Sequence, residues 1–133
     1  MLRPRKKPCE TGAASVEFAV VLPLVVVALL LLVQVALLVS QQLAVTHAAR
    51  EGSRAAAVWN DDAKARNAAL LAGHLESSQT DVIVEPSSRH VGDAVTVTVR
   101  YRPIIVVPYV GRFLSSSLEL HASVTTRTER ETS

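Results

Sequence analysis

Between Glu17 and Arg50 this 133-residue chain has no Asp, Glu, Lys or Arg. Aromatic residues make up 4% of it, although 49% is hydrophobic, so the apolar surplus is aliphatic. A long uncharged aliphatic block argues against an ordinary soluble enzyme. Cysteine occurs once, at Cys9, which permits no internal disulfide and leaves the redox compartment open. The five glycines stand singly, so no phosphate-cradling loop is present, and Ser115, Ser116 and Ser117 lack a nucleophile-elbow context. His47, His74, His90 and His121 form no i, i+4 pair and have no cysteine near them, which speaks against a metal site. No catalytic residue and no cofactor are expected.

The charge that is present is unevenly placed. The net charge is +2, yet Arg3, Arg5, Lys6 and Lys7 all precede the apolar block, and without residues 1–12 the balance turns slightly negative. The basicity belongs to a leader. A nucleic-acid surface would need Lys and Arg clustered on the folded part, where they are scattered, so no nucleic-acid partner is expected.

Residues 18–39 are apolar except Gln34. As a helix these 22 residues span ~33 Å, enough for a ~30 Å hydrocarbon core. They predict one transmembrane helix, with the lipid bilayer as its solvent. A cleavable secretory signal has a shorter apolar region and a small-residue cleavage site after it, whereas this run continues into Ser40, Gln41 and Gln42. The four basic residues before the run hold that end in the cytoplasm, which puts residues 43–133 outside. Pro23 removes a hydrogen bond to the carbonyl of Ala19 and predicts a helix kink, either functional or simply tolerated in lipid. Gln34 is read as tolerated rather than as a bonded interhelical residue.

Past the membrane, the alanine-rich residues 43–58 continue the helix, with Arg50, Glu51 and Arg54 on its exposed face and Gly52 weakening it by ~1 kcal/mol. Asn60 and Asp61 are cap candidates for a second helix whose apolar face is Ala65, Ala68, Leu71, Ala72 and Leu75, ending at Gly73 and the polar residues 77–79. The pattern then changes to period two. Val82 and Val84, then Val95, Val97, Val99 and Tyr101, then Leu118, Leu120, Ala122 and Val124 predict three strands, with Thr96, Thr98 and Arg100 exposed. Gly92 and Asp93 form a turn, and Pro103, Pro108 and Gly111 limit residues 104–107 to a short extended piece or apolar loop. The fold class is α+β: a long N-terminal helix, a short helix and a small antiparallel sheet that buries one face against a helix. Its segments are a basic leader, 1–12, a transmembrane helix, 13–42, and an outer domain, 43–133.

Glu17 stands one residue before the apolar run, where a carboxylate facing lipid is costly, by ~3 kcal/mol at the bilayer centre and less near the interface. In a first helical turn the dipole would favour it by ~0.3 to 1 kcal/mol, which is the plain structural account. Its neighbours suggest another. The leader ends in Gly12, followed by the small Ala13, and Glu17 is fifth after the glycine. Glu17, Phe18 and the Phe-Ala-Val-Val-Leu-Pro segment ending at Pro23, with Ala-Ala-Arg-Glu-Gly-Ser-Arg-Ala at 48–55, resemble the TadE-like pilin-related proteins of the tight adherence (Tad, Flp-type) pilus system. The resemblance is close over residues 10–58 and one of general shape beyond. It implies a minor pilin or pseudopilin, cut between Gly12 and Ala13 by a prepilin peptidase and pilin-like in fold. Its implied partners are other Tad pilins or pseudopilins and an inner-membrane assembly platform. Glu17 and Phe18 are then the assembly and processing residues, and cleavage gives Ala13 a positive amine that a neighbouring carboxylate can meet. The length left after the leader suits an accessory subunit. The competing reading is an unprocessed single-pass membrane anchor with a partner-binding outer domain.

Overall fold

A computed structural model describes residues 10–59, 61–103, 105 and 118–129. The expectations for the basic leader, for Asn60 as a cap, for most of the 104–107 piece, and for Pro108, Gly111 and the serines at 115–117 lie outside the described residues. Five elements follow in order: α1 Glu10–Trp59, α2 Asp62–Gly73, β1 Thr80–Glu85, β2 Ala94–Tyr101 and β3 Leu120–Arg127. The architecture is α+β, as the change of period from helical to two requires.

Fifty residues of α1 form one helix, ~75 Å long, unbroken through Pro23. Its C-terminal half carries the outer domain. Asp61 caps α2, its Oδ1 accepting from the N–H groups of Ala63 at 2.9 Å and Lys64 at 3.4 Å. At the other end His74 adopts the left-handed conformation, φ 49°, while its N–H and that of Leu75 donate to the carbonyls of Leu71 and Leu70.

The sheet is antiparallel in the order β1-β2-β3. Val82, Val84, Val95, Val97, Val99 and Tyr101 are buried as their alternation requires, with Leu120, Ala122 and Val124 packed beside them. Arg100 is exposed, but Thr96 and Thr98 are half-buried. Cross-strand hydroxyl pairs account for the difference, Thr96 with Thr125 at 2.9 Å and Thr98 with Ser123 at 3.2 Å. Leu118 precedes β3 rather than joining it. The expected turn before β2 is present: Gly92 takes φ 91° and its N–H donates to the carbonyl of Thr128.

Between α1 and α2 the seam is built from the smallest side chains. Ala48, Ala49, Gly52 and Ala56 of α1 meet Ala65, Ala69 and Gly73 of α2, all buried. The expected α2 face is therefore rotated: Leu71 is 76% exposed, and Ala68, Ala72 and Leu75 sit at the seam's margin. Close approach is the reason. A Cβ on Gly52 would lie 3.0 Å from the Ala69 Cβ and 3.2 Å from Val97 Cγ1, and one on Gly73 would lie 3.0 Å from the Ala44 carbonyl oxygen. No leucine fits such a seam, so α2 turns its four-residue alanine and glycine row inward. Gly52, which weakens α1 as an isolated helix, is what lets sheet and helix α2 pack on it. Gly52→Leu should destabilise the outer domain by ~1 to 3 kcal/mol through overpacking, despite its better helix propensity. Thermal unfolding of the full chain in micelles checks this, and an unchanged midpoint would contradict the close approach.

Candidate functional site: the bare half of the N-terminal helix

Nothing in the described chain packs on most of the first half of α1. Phe18 is 66% exposed, Val20 72%, Leu24 71% and Leu32 70%. An apolar surface of this length in water would be an aggregation liability. One described helix is long and apolar enough to cross a membrane, and it is this one. In lipid, the exposure becomes favourable.

The candidate processing and assembly residues lie at its start. Gly12, Ala13, Glu17 and Phe18 are all helical and exposed, with Ala13 and Glu17 one turn apart on the same face. Among the described residues nothing beyond its chain neighbours and its own helix backbone lies within 4 Å of a Cβ built on Gly12. Glu17 has no ion pair or hydrogen bond among the described residues. Because α1 begins at Glu10, Glu17 lies about two turns in, beyond the first turn where the helix dipole stabilises an acid. The described residues therefore offer this carboxylate neither a partner nor the dipole of a first turn. Pro23 is exposed within the same bare stretch.

Gln34 departs from its expectation. It is 5% exposed in an otherwise bare stretch, on the side of α1 that continues through the half-buried Leu38 and Gln42 to Val45, Ala49, Gly52 and Ala56 at spacings of three or four. The side of α1 that packs on the outer domain thus extends into the apolar run. A single polar residue in such a run is compatible with lipid tolerance or with burial, and sequence periodicity within 18–39 contains nothing to separate them.

Among the described residues, no group of three His, Cys, Asp or Glu side chains is placed to hold a metal. His47 and His121 are exposed, His74 caps α2, and His90 stands 3.5 Å from Asp93. Two further features have no periodic signature in the sequence. Arg89, with its side chain fully buried, bonds to Asp62 and pins the β1–β2 connection to the start of α2. Lys64 Nζ lies 4.7 Å over the ring of Trp59, itself 55% exposed, beside a groove lined by Ala55, Val58 and Ala68.

The TadE-like protein family model matches residues 12–54, roughly a third of the chain. The match begins at the candidate glycine and ends within the alanine-arginine-glycine segment at 48–55, the stretch that carried the sequence resemblance. Over that stretch the chain is similar to TadE-like proteins. No curated protein and no solved structure matches the chain.

Proposed function

We propose, with the TadE-like match over residues 12–54 as premise, that this chain is a minor pilin or pseudopilin of a Tad pilus, cut after Gly12 and assembled through α1. The observation that carries the reading is Glu17, a carboxylate with no partner among the described residues, at the entrance to a bare apolar helix. The basic residues at 3–7 keep the leader in the cytoplasm and leave 43–133 outside. A prepilin peptidase hydrolyses the bond between Gly12 and Ala13, releasing the leader with its four basic side chains and leaving an α-amino group on Ala13.

Each cut subunit then carries an amine at Ala13 and a carboxylate at Glu17. In a staggered stack of helices, the carboxylate of one subunit meets the amine of its neighbour. Pairing relieves two charges of the cost of facing lipid and fixes the axial register between subunits. Loss of the leader removes the charges that anchor the uncut chain at the cytoplasmic surface. Other Tad pilins and an inner-membrane assembly platform are the partners this mechanism requires. Pro23, six residues beyond Glu17, lacks the N–H that would hold the helix straight and so is the point at which α1 would bend as subunits pack.

Glu17→Gln keeps the shape and hydrogen-bonding capacity of the side chain and removes its charge. The variant should insert normally, since the apolar run decides insertion, but its recovery with partner pilins should fall about tenfold or more, as for loss of ~1.4 kcal/mol or more of pairing. Its mature N-terminus is measured by mass spectrometry in the same preparation, which separates a loss of pairing from a loss of processing at a peptidase that reads residue 17. A variant inserted, cut and co-purified at wild-type levels would sink the ion-pair mechanism. An uncut wild-type chain in a peptidase-positive cell would instead favour the unprocessed anchor.

A further inference from the structure

We infer that the end of the outer sheet nearest the apolar run, with Arg102 as its cation, is a docking surface for the phosphate headgroups of the bilayer that α1 enters. The inference rests on the membrane reading of α1 given above. Two hydrogen bonds set the sheet's orientation on the helix. Gln42 Nε2 donates to the carbonyl of His121 at 3.2 Å, and the Glu129 N–H donates to the carbonyl of Ala57 at 3.1 Å. The start of β3 is therefore tied near the end of the apolar run, and its far end is tied about four turns away along α1.

Depth follows from the helix rise. Gln42 stands three residues beyond Val39, ~4.5 Å at 1.5 Å per residue. Headgroups add about 5 to 7 Å on each side of the hydrocarbon core. Gln42 and His121 thus lie at headgroup level. In the ladder Arg100 pairs with His121 and Tyr101 with Leu120, so the end of β2 shares that level. Arg102 follows, its N–H donating to the carbonyl of Gln79 at 3.1 Å, which brings the 77–79 turn to the same end.

These segments enclose an open cavity of ≈ 240 Å³, lined by Ser77, Ser78, Asp81, Arg100, Arg102 and Glu119 among others. Its charges are not equivalent. The Glu119 carboxylate lies 3.5 Å from Arg100 Nε, so those two charges balance within the protein, while Asp81 stands opposite Arg100 in the ladder register with no ion pair among the described residues. Arg102 is exposed and has no side-chain partner among the described residues. It lies two residues farther along the chain, ~7 Å if extended, on the side toward the hydrocarbon. Only one kind of anion is abundant at that depth. A guanidinium binds phosphate oxygens bidentately, and the hydroxyls of Ser77 and Ser78 supply further donors at the same cavity.

The test uses the full chain in nanodiscs of phosphatidylcholine and phosphatidylglycerol, with Cys9→Ser and a fluorophore at Ser78→Cys, Asp93→Cys or Leu32→Cys in turn. Lipid spin-labelled at the headgroup should quench the label at 78 and spare the label at 93, which sits at the far end of the sheet. Lipid spin-labelled in the acyl chain should quench the label at 32. Binding of phosphatidylglycerol to the full chain in neutral micelles, read by native mass spectrometry, should also fall about fivefold in Arg102→Gln, the ~1 kcal/mol of one basic residue at an anionic surface. Arg66→Gln, at an exposed site on α2, is the control and should leave that binding unchanged. Quenching at 32 without quenching at 78, or equal lipid binding by Arg102→Gln and Arg66→Gln, would overturn the docking surface and leave the membrane reading intact. Absence of quenching at 32 would overturn both.

Discussion

Val97→Asp should destabilise the outer domain by ~3 to 5 kcal/mol, the cost of leaving a charge buried without a partner. Val97 is fully buried on the central strand, facing Val84 of β1 and Val124 of β3 in the ladder. Its Cγ1 lies against the Gly52 position of α1, so no path leads the new carboxylate to water without parting helix and sheet. The described core has few large members: its largest fully buried side chains are valines. A loss of this size is a large fraction of the ~5 to 15 kcal/mol that holds a typical domain together. Thr98→Asp is the matched control. Thr98 lies on the opposite face, half-buried, with only the hydroxyl bond to Ser123 to lose, and should cost ~1 kcal/mol. Urea unfolding of the full chain in micelles compares the two, and similar midpoints would refute the register of β2.

Gly12→Leu should abolish processing while leaving the fold untouched. The structure makes this a clean experiment. Nothing lies within 4 Å of a Cβ at Gly12, and leucine is a better helix former than glycine by ~0.8 to 1 kcal/mol. Any defect therefore arises in recognition by the peptidase and not in the chain's own packing. The expected product keeps residues 1–12 and their four basic side chains, and mass spectrometry of the membrane fraction reads it directly. Wild-type protein and Gly12→Leu with the same N-terminus in a peptidase-positive cell would end the processing reading.

Much of the architecture was legible because it is written in local periods. A charge-free apolar run longer than 18 residues is a candidate membrane span by length and composition, and α1 contains it. The Val-Thr alternation of β2 places Val95, Val97 and Val99 on one face whatever the strand pairs with, and all three are buried. Asp61 was recognisable as a cap because its side chain satisfies amide groups two and three residues on, a contact that needs no tertiary partner. Gly12 and Glu17 stood out by spacing and by the family resemblance, and among the described residues neither has a tertiary contact.

The limits fall where a residue's fate depends on what faces it. The amino-acid sequence by itself determined the elements, their order, the buried face of each strand and the single long apolar helix, since each follows from side-chain period and backbone preference within a few residues. Tertiary structure decided the rotation of α2, which exposes Leu71 and buries Gly73, because only the 3.0 Å clearances at Gly52 and Gly73 reveal that the seam admits nothing larger than alanine. It also decided the burial of Gln34, the Arg89 to Asp62 pair and the Gln42 bond that ties the start of β3 to α1. Those contacts join residues 27 to 79 positions apart, or depend on a neighbouring element's shape, and no local pattern carries that information.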